Sequence, residues 1–200
     1  MKLYILRHED RTQDCSFFAP LTKEGLNNAE KIANLLNNHK IDVIYSSPFI
    51  RTLQTIAPYL KKTNKKINIE YALSEIHHED IIPKKAHGMY LPEYLAEKYN
   101  YDSTYKSFMK PTDIKYPEKF AHVDRRVKKL LKELFNRYFT TDTSILLVTH
   151  QSLCSSILQI VNKSSNEFKN KIDEELINNY PTGRVTLVFN NDWTFLSVSK

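Results

Sequence analysis

The sequence predicts a three-layer α/β/α fold on a mostly parallel central sheet, with an antiparallel edge hairpin and a helical or irregular insertion. Three observations predict it. Two short continuous apolar runs, Leu3-Tyr4-Ile5-Leu6 and Ile145-Leu146-Leu147-Val148, have the character of strands buried on both faces of a parallel sheet. Amphipathic helical stretches alternate with such runs, in the order β-α-β-α-β, insertion, α-β-α-ββ. The chain closes on two alternating segments around Asn190-Asn191-Asp192, the pattern of an antiparallel hairpin.

Taken in order, Leu3–Leu6 is the first strand, and residues 8–20 form a polar loop ending in Ala19-Pro20. A helix follows from Thr22, whose hydroxyl suits an N-cap, with Leu26, Ala29, Ala33 and Leu36 at helical spacing. Asp42–Tyr45 is the second strand. Ser46-Ser47-Pro48 then opens a helix to about Lys62, which Pro58 should distort or shorten. Ile67–Tyr71 is the third strand. Residues 76–120 carry six tyrosines and four prolines, with one helical patch near 92–99, and are expected to form a cap. An amphipathic helix holds Val123, Val127, Leu130, Leu131, Leu134, Phe135 and Tyr138 on one stripe. Ser144–Thr149 is the fourth strand, a helix covers 151–162, and Arg184–Phe189 with Trp193–Val198 makes the hairpin.

Composition narrows the function classes. Two hundred residues at 41% hydrophobic content suit one domain, residues 1–200, with 76–120 as its insertion. No apolar stretch spans a bilayer and no signal segment follows Met1-Lys2, so a soluble, cytoplasmic protein without a membrane partner is expected. Cys15 and Cys154 are too few for a disulfide framework. A net charge of +6 favours an anionic partner, and a nucleic acid or protein partner stays open, as does the oligomeric state.

The chemistry concentrates at strand ends. The first strand runs into Arg7-His8 and the fourth into Thr149-His150. In an open parallel sheet ligands bind outside the carboxyl ends of strands, so both histidines should share one crevice. Arg51 falls in the first turn of the second helix, where free N–H groups and a guanidinium both favour an anion. Two arginines and two histidines suit a phosphoryl group whose charge spreads over three oxygens. His8, between Arg7 and Arg51, should be kept neutral by those cations and is the nucleophile candidate. His150 would be the charged partner of the phosphoryl oxygens. Glu75, after the third strand, is the candidate general acid, its carboxyl raised beside a phosphate dianion.

The segments "LRH", "PLTKEGLNNAEKIANLL", "IYSSPFIRTLQT", "LSE" and "LLVTHQ" resemble, in order, the signature blocks of the histidine phosphatase superfamily, the phosphoglycerate mutase-like group. The resemblance implies a metal-independent phosphomonoester hydrolase without a cofactor, acting on a small phosphorylated substrate. It implies a transient phosphohistidine on His8, a phosphate pocket of Arg7, Arg51 and His150, and Glu75 as proton donor; Gln151, where the family often has a small residue, is a further substrate-binding candidate. The chain departs from the family where Glu9 and Asp10 follow the nucleophile; two carboxylates there would repel phosphate unless they point away. "LSEIHHED" lacks the longer arginine-containing motif of the mutases, so hydrolysis is favoured over mutase-type transfer. A catalytically weak, phosphate-recognising interaction protein is the non-enzyme alternative.

Other features have plainer expectations. His77, His78 and His87 read as solvated loop residues rather than a metal cluster, with His77 or His78 able to line the pocket. Arg125-Arg126-Val127-Lys128-Lys129 reads as a solvated helix face. The insertion's tyrosines read as the cap's own core, and Cys154 as buried packing. Substrate specificity should lie in 76–120.

Overall fold

The computed structural model describes residues 1–14, 16–164, 172–190 and 196–197. Its strands are β1 (Lys2–Arg7), β2 (Val43–Ser46), β3 (Asn68–Ile69), β4 (Ser144–Thr149), β5 (Val185–Asn190) and β6 (Leu196–Ser197). Its helices are α1 (Lys23–Asn37), α2 (Ile50–Thr63), α3 (Glu93–Ala96), α4 (Phe120–Tyr138), α5 (Gln151–Ser164) and α6 (Glu174–Asn178). The sheet order is β3-β2-β4-β1-β5-β6. β3, β2, β4 and β1 run parallel, while β5 and β6 join antiparallel at one side. This is the predicted mostly parallel sheet with an antiparallel edge. The predicted hairpin turn at Asn191-Asp192, most of its second strand and Cys15 lie outside the described residues.

Alternation along the strands makes the layers. Leu3 and Ile5 of β1 and Ile145 and Leu147 of β4 face one core, with Val127 and Leu130 of α4 and Leu153 and Ile157 of α5. Tyr4, Leu6, Leu146 and Val148 face the other, with Ile32 and Leu36 of α1 and Leu53 and Ile56 of α2. Each fully buried side chain of this size contributes about 1.5–3 kcal/mol relative to exposure. A one-residue slip of either central strand would exchange the two cores, so the register is tightly specified.

Local differences from the sequence reading have physical causes. Thr22 does cap α1, accepting from Gly25 N at 3.0 Å. Leu26, however, is exposed; Ile32 takes the inward position, and Gly25 faces inward against the Asp10 carbonyl, where any Cβ would clash. α2 begins only at Ile50, since Ser47 is occupied elsewhere, and it passes through Pro58 to Thr63. Burial of Ile56, Tyr59 and Leu60 around the proline holds that stretch, which ends at Asn64 in the left-handed conformation (φ 53°). The third strand is two residues rather than five. Glu70 stops it by accepting from Ala72 N at 2.8 Å, which starts a 3-10 turn over Tyr71–Leu73. α6 was not expected from the sequence.

Segment 76–120 is pinned by buried carboxylates. Glu70 is fully buried, and also accepts from the Tyr105 hydroxyl (2.6 Å), the Ser107 hydroxyl (2.7 Å) and Phe108 N (2.9 Å). Glu118 pairs with Arg126 through both oxygens, at 2.8 and 2.9 Å, and accepts from His77 N at 3.0 Å. Arg126 is therefore buried, not part of a solvated face as its basic neighbours suggested. Tyr99, Tyr101 and Tyr105 pack inward as expected, while Tyr90 and Tyr94 are exposed.

Candidate active site

The sheet register builds the site. β1 and β4 are adjacent and parallel with Arg7 opposite Thr149, so the next residues, His8 and His150, emerge side by side. His8 N donates to Thr149 O at 2.9 Å, and the two rings meet edge to face with centroids 5.2 Å apart. β2, on the far side of β4, delivers Ser47 and then Arg51 in the first turn of α2. The 3-10 turn after β3 delivers Glu75. All five predicted residues, Arg7, His8, Arg51, Glu75 and His150, come together, and Gln151 follows at the start of α5.

His8 is held in one tautomer. Its Nδ1 donates to the Glu9 carbonyl at 2.7 Å, which leaves the Nε2 lone pair free to accept from Arg51 Nε at 3.3 Å. Burial first, and then the Arg51 guanidinium, hold its pKa well below 6.5, with Arg7 and Arg11 adding to the effect. Arg51 also donates to the Ser16 carbonyl at 3.1 Å and stacks over Phe49, 4.5 Å from the ring centre. Arg7 donates to the Tyr180 carbonyl while its Nε is buried without a hydrogen-bond partner.

His150 is fully buried. Its Nε2 meets the Ser47 hydroxyl at 2.8 Å, and its Nδ1 lies 3.7 Å from Glu75 Oε2. The expectation of a charged His150 is corrected here: burial first, then Arg51 and His8, hold its pKa well below 6.5 and favour the neutral ring. Glu75 accepts from Ile76 N at 2.9 Å and from the Ser152 hydroxyl. Of the two unexpected carboxylates only Glu9 turns aside, buried against Gly183; Asp10 lines the cavity over the site beside Arg11 and accepts from the Thr22 hydroxyl at 2.9 Å. Gly183 is required there, with φ 63° and no room for a Cβ beside Glu9.

A cavity of about 620 Å³ opens over these groups, lined by Arg7, His8, Arg11, Glu75, Gln151 and Thr182 among others. Gln151 donates to the Asn178 carbonyl at 2.8 Å from its rim. Ligand atoms of His8, Glu75 and His150 lie within 4.8 Å of one another. Arg51 touching His8 and Arg7 beside it set a positive field there, which suits an anion rather than a metal cation.

Sequence reasoning missed several contributors. Ser47, noted only as a helix-start signal, orients His150, Ser152 touches Glu75, and Arg11 comes from an irregular loop without a motif. His77 and His87 are not solvated loop residues as expected: their Nδ1 atoms lie 3.0 Å apart, and burial foremost lowers His77 to about 3. His78 is the more exposed one and pairs with Asp80 at 3.1 Å. Cys154 is buried packing, its thiol pKa raised by burial.

Strand-end histidines, flanking arginines and a carboxyl on one parallel sheet define the class, and comparison with known proteins agrees. The chain belongs to the histidine phosphatase superfamily, branch 1, whose family model matches residues 7–185. It is 30% identical over 135 residues to phosphoserine phosphatase 1 of Hydrogenobacter thermophilus, covering 65% of this chain and 58% of that protein. It is 35% identical over 89 residues to a 2,3-bisphosphoglycerate-dependent phosphoglycerate mutase of Methanococcus vannielii, covering 44% of this chain and 34% of that one. The match thus spans little more than half of the first relative and about a third of the second. The fold resembles the ecdysone phosphate phosphatase of Bombix mori in complex with tungstate (TM-score 0.68, 15% identity, 98% of this chain and 92% of that one). It also resembles a mycobacterial glucosyl-3-phosphoglycerate phosphatase (TM-score 0.61, 18% identity, 93% and 88%). Among the described residues no helix is long and apolar enough to cross a membrane.

Proposed function

We propose that this chain hydrolyses small phosphomonoesters in two steps through a phosphohistidine on His8, without a metal or cofactor. The observation that carries the reading is the tautomer of His8: Nδ1–H is committed to the Glu9 carbonyl, so the unprotonated Nε2, held only by a long 3.3 Å contact from Arg51 Nε, carries the lone pair in a residue that lines the cavity. Nε2 attacks phosphorus, the ester P–O bond breaks, and Glu75 gives its proton to the leaving oxygen. Water then attacks the phosphohistidine, Glu75 takes back a proton, and the P–N bond breaks to release phosphate and neutral His8.

Arg7 and Arg51 bind the phosphoryl oxygens, the buried Arg7 Nε gaining a partner by doing so. His150 donates to the same oxygens once the dianion draws a proton onto its ring, and Gln151 contacts substrate at the rim. Residues 1–200 act as one unit with 76–120 as cap. A cytoplasmic location fits a chain with only two cysteines.

The test is p-nitrophenyl phosphate hydrolysis from pH 5 to 8 in chelator, comparing the native chain with His8→Ala. Turnover by the native chain that disappears in the mutant is expected. A folded native chain without turnover, or a mutant that retains it, would overturn the reading. Because His8 is held neutral, kcat/KM should show no acid loss between pH 7 and 6.5.

A further inference from the structure

A second cavity, of about 460 Å³, adjoins the first and shares Glu75, Ile81 and Gln151 with it. Two helix faces build its walls. Phe120 and Asp124 stand four residues apart on α4, on one face. Ser152, Ser155, Ser156 and Gln159 repeat at helical spacing along the facing side of α5. The α4 and α5 helices pack directly on one another. Glu75 sits at the junction of the two cavities, so its carboxyl faces the phosphorylated end on one side and this chamber on the other.

The chamber's charge is the opposite of the phosphate pocket's. Among the described residues no lysine or arginine lines it, although the chain carries 29 of them. Asp124 lines it, and its carboxylate takes only the Ser156 hydroxyl, at 2.5 Å. Among the described residues no ion pair involves Asp124. Phe120, 64% exposed, offers an aromatic face beside it. A carboxylate without a cation, an open ring and a row of hydroxyls together make a receptor for an ammonium group. The spacing agrees: Ser152 binds Glu75 and Ser156 binds Asp124, and these serines are four residues apart, about 6 Å along the axis. Both carboxylates thus sit against one helix face about a turn apart, within reach of one small leaving group.

We infer that the chamber between α4 and α5 receives the leaving group, and that the substrate is a phosphate ester of a small amino alcohol, its ammonium held by Asp124 and Phe120. The inference rests on the reading above that Glu75 protonates the leaving oxygen. A carboxylate or a second phosphate on the leaving group would meet Asp124 with no cation to offset the repulsion.

The experiment compares kcat/KM for O-phosphoethanolamine, glycerol 3-phosphate and 3-phosphoglycerate, with p-nitrophenyl phosphate as reference. The expected order is the one just given, with at least about tenfold between first and last. Asp124→Asn should bring the two extremes together, and Asp124→Lys should invert them. In His8→Ala, calorimetric titration should show phosphoethanolamine binding more tightly than 3-phosphoglycerate. Hydrolysis of p-nitrophenyl phosphate with no charge preference among the other three, or a preference that Asp124→Asn leaves intact, overturns the chamber assignment alone. If p-nitrophenyl phosphate is not turned over yet the binding preference holds and depends on Asp124, the ammonium site stands and the hydrolytic reading fails.

Discussion

Two buried polar clusters in this molecule are built to opposite rules. The two carboxylates that pin the cap, Glu70 at the end of β3 and Glu118 within the cap, are saturated: the first accepts four hydrogen bonds and the second three. His77 Nε2 is the exception in that region, buried without a partner. At the strand ends, Arg7 Nε and His150 Nδ1 are buried with no hydrogen-bond partner. Buried polar groups normally find partners, and leaving one without costs about 1–3 kcal/mol. A cluster that is satisfied holds structure; one that keeps polar atoms without partners beneath a cavity holds itself ready for a ligand. The difference separates the groups that position from the groups that bind.

The sharpest way to break the comparison is to cut a saturated cluster. Arg126→Ala leaves Glu118 buried without its cation and should cost about 3–5 kcal/mol of stability in denaturant unfolding. Arg126 also donates to the Ala72 carbonyl at 2.7 Å, just upstream of Glu75, so activity should fall along with stability. Arg7→Met reverses the pattern. Turnover should fall by at least about 100-fold, as when a donor to developing charge is removed, while denaturant stability stays level or rises. A large stability loss in Arg7→Met would show that the arginine is structural after all. Glu75→Gln should slow alkyl phosphates by about 100-fold and p-nitrophenyl phosphate far less, since nitrophenolate leaves without protonation. Equal losses for both esters would remove Glu75 from the acid role.

Acid sensitivity gives the smallest effect. His8, His77 and His150 all have folded pKa values below 6.5, so the unfolded chain binds more protons than the folded one as pH drops through that value. Their contribution to stability is complete above pH 6.5 and declines below it, each histidine adding up to about 1.4 kcal/mol per pH unit to the slope. His77→Phe should make the stability profile measurably less steep between pH 6 and 4.

Much of this was legible because the sheet centre obeys a simple code. Leu3–Leu6 and Ile145–Val148 are apolar on both faces, as strands at the centre of a covered sheet need to be, and as parallel neighbours they bring the two histidines after them together. The cap is not coded that way. Its segments are fixed by single carboxylates reaching across about 35 to 40 residues, and periodicity carries no trace of such pins. Arg126 is an intermediate case. It lies three residues after Val123 and four before Leu130, on the buried stripe, and a strict count would have separated it from Arg125 and Lys128. Ser47 and Ser152 left no such mark, because a serine that orients a histidine or a carboxyl looks like any other serine at a helix start.

β1 lies between β4 and β5, and both partners come from the far end of the chain: Lys2 pairs with Ser144 and with Asn190. Arg7 is tied to the Tyr180 carbonyl across 173 residues, and Gly183 N donates to the Arg7 carbonyl at 3.0 Å. β1 therefore leaves the ribosome before either of its neighbours and is enclosed only once both have followed. Until residues 144–190 have been synthesised, it is an apolar segment with two unpaired edges, exposed to wrong partners. Loops this long close slowly, so assembly of His8 into its crevice belongs to the end of folding. A nascent or truncated chain lacking β5 would carry all the proposed catalytic side chains and still leave the strand that holds His8 with one edge unpaired.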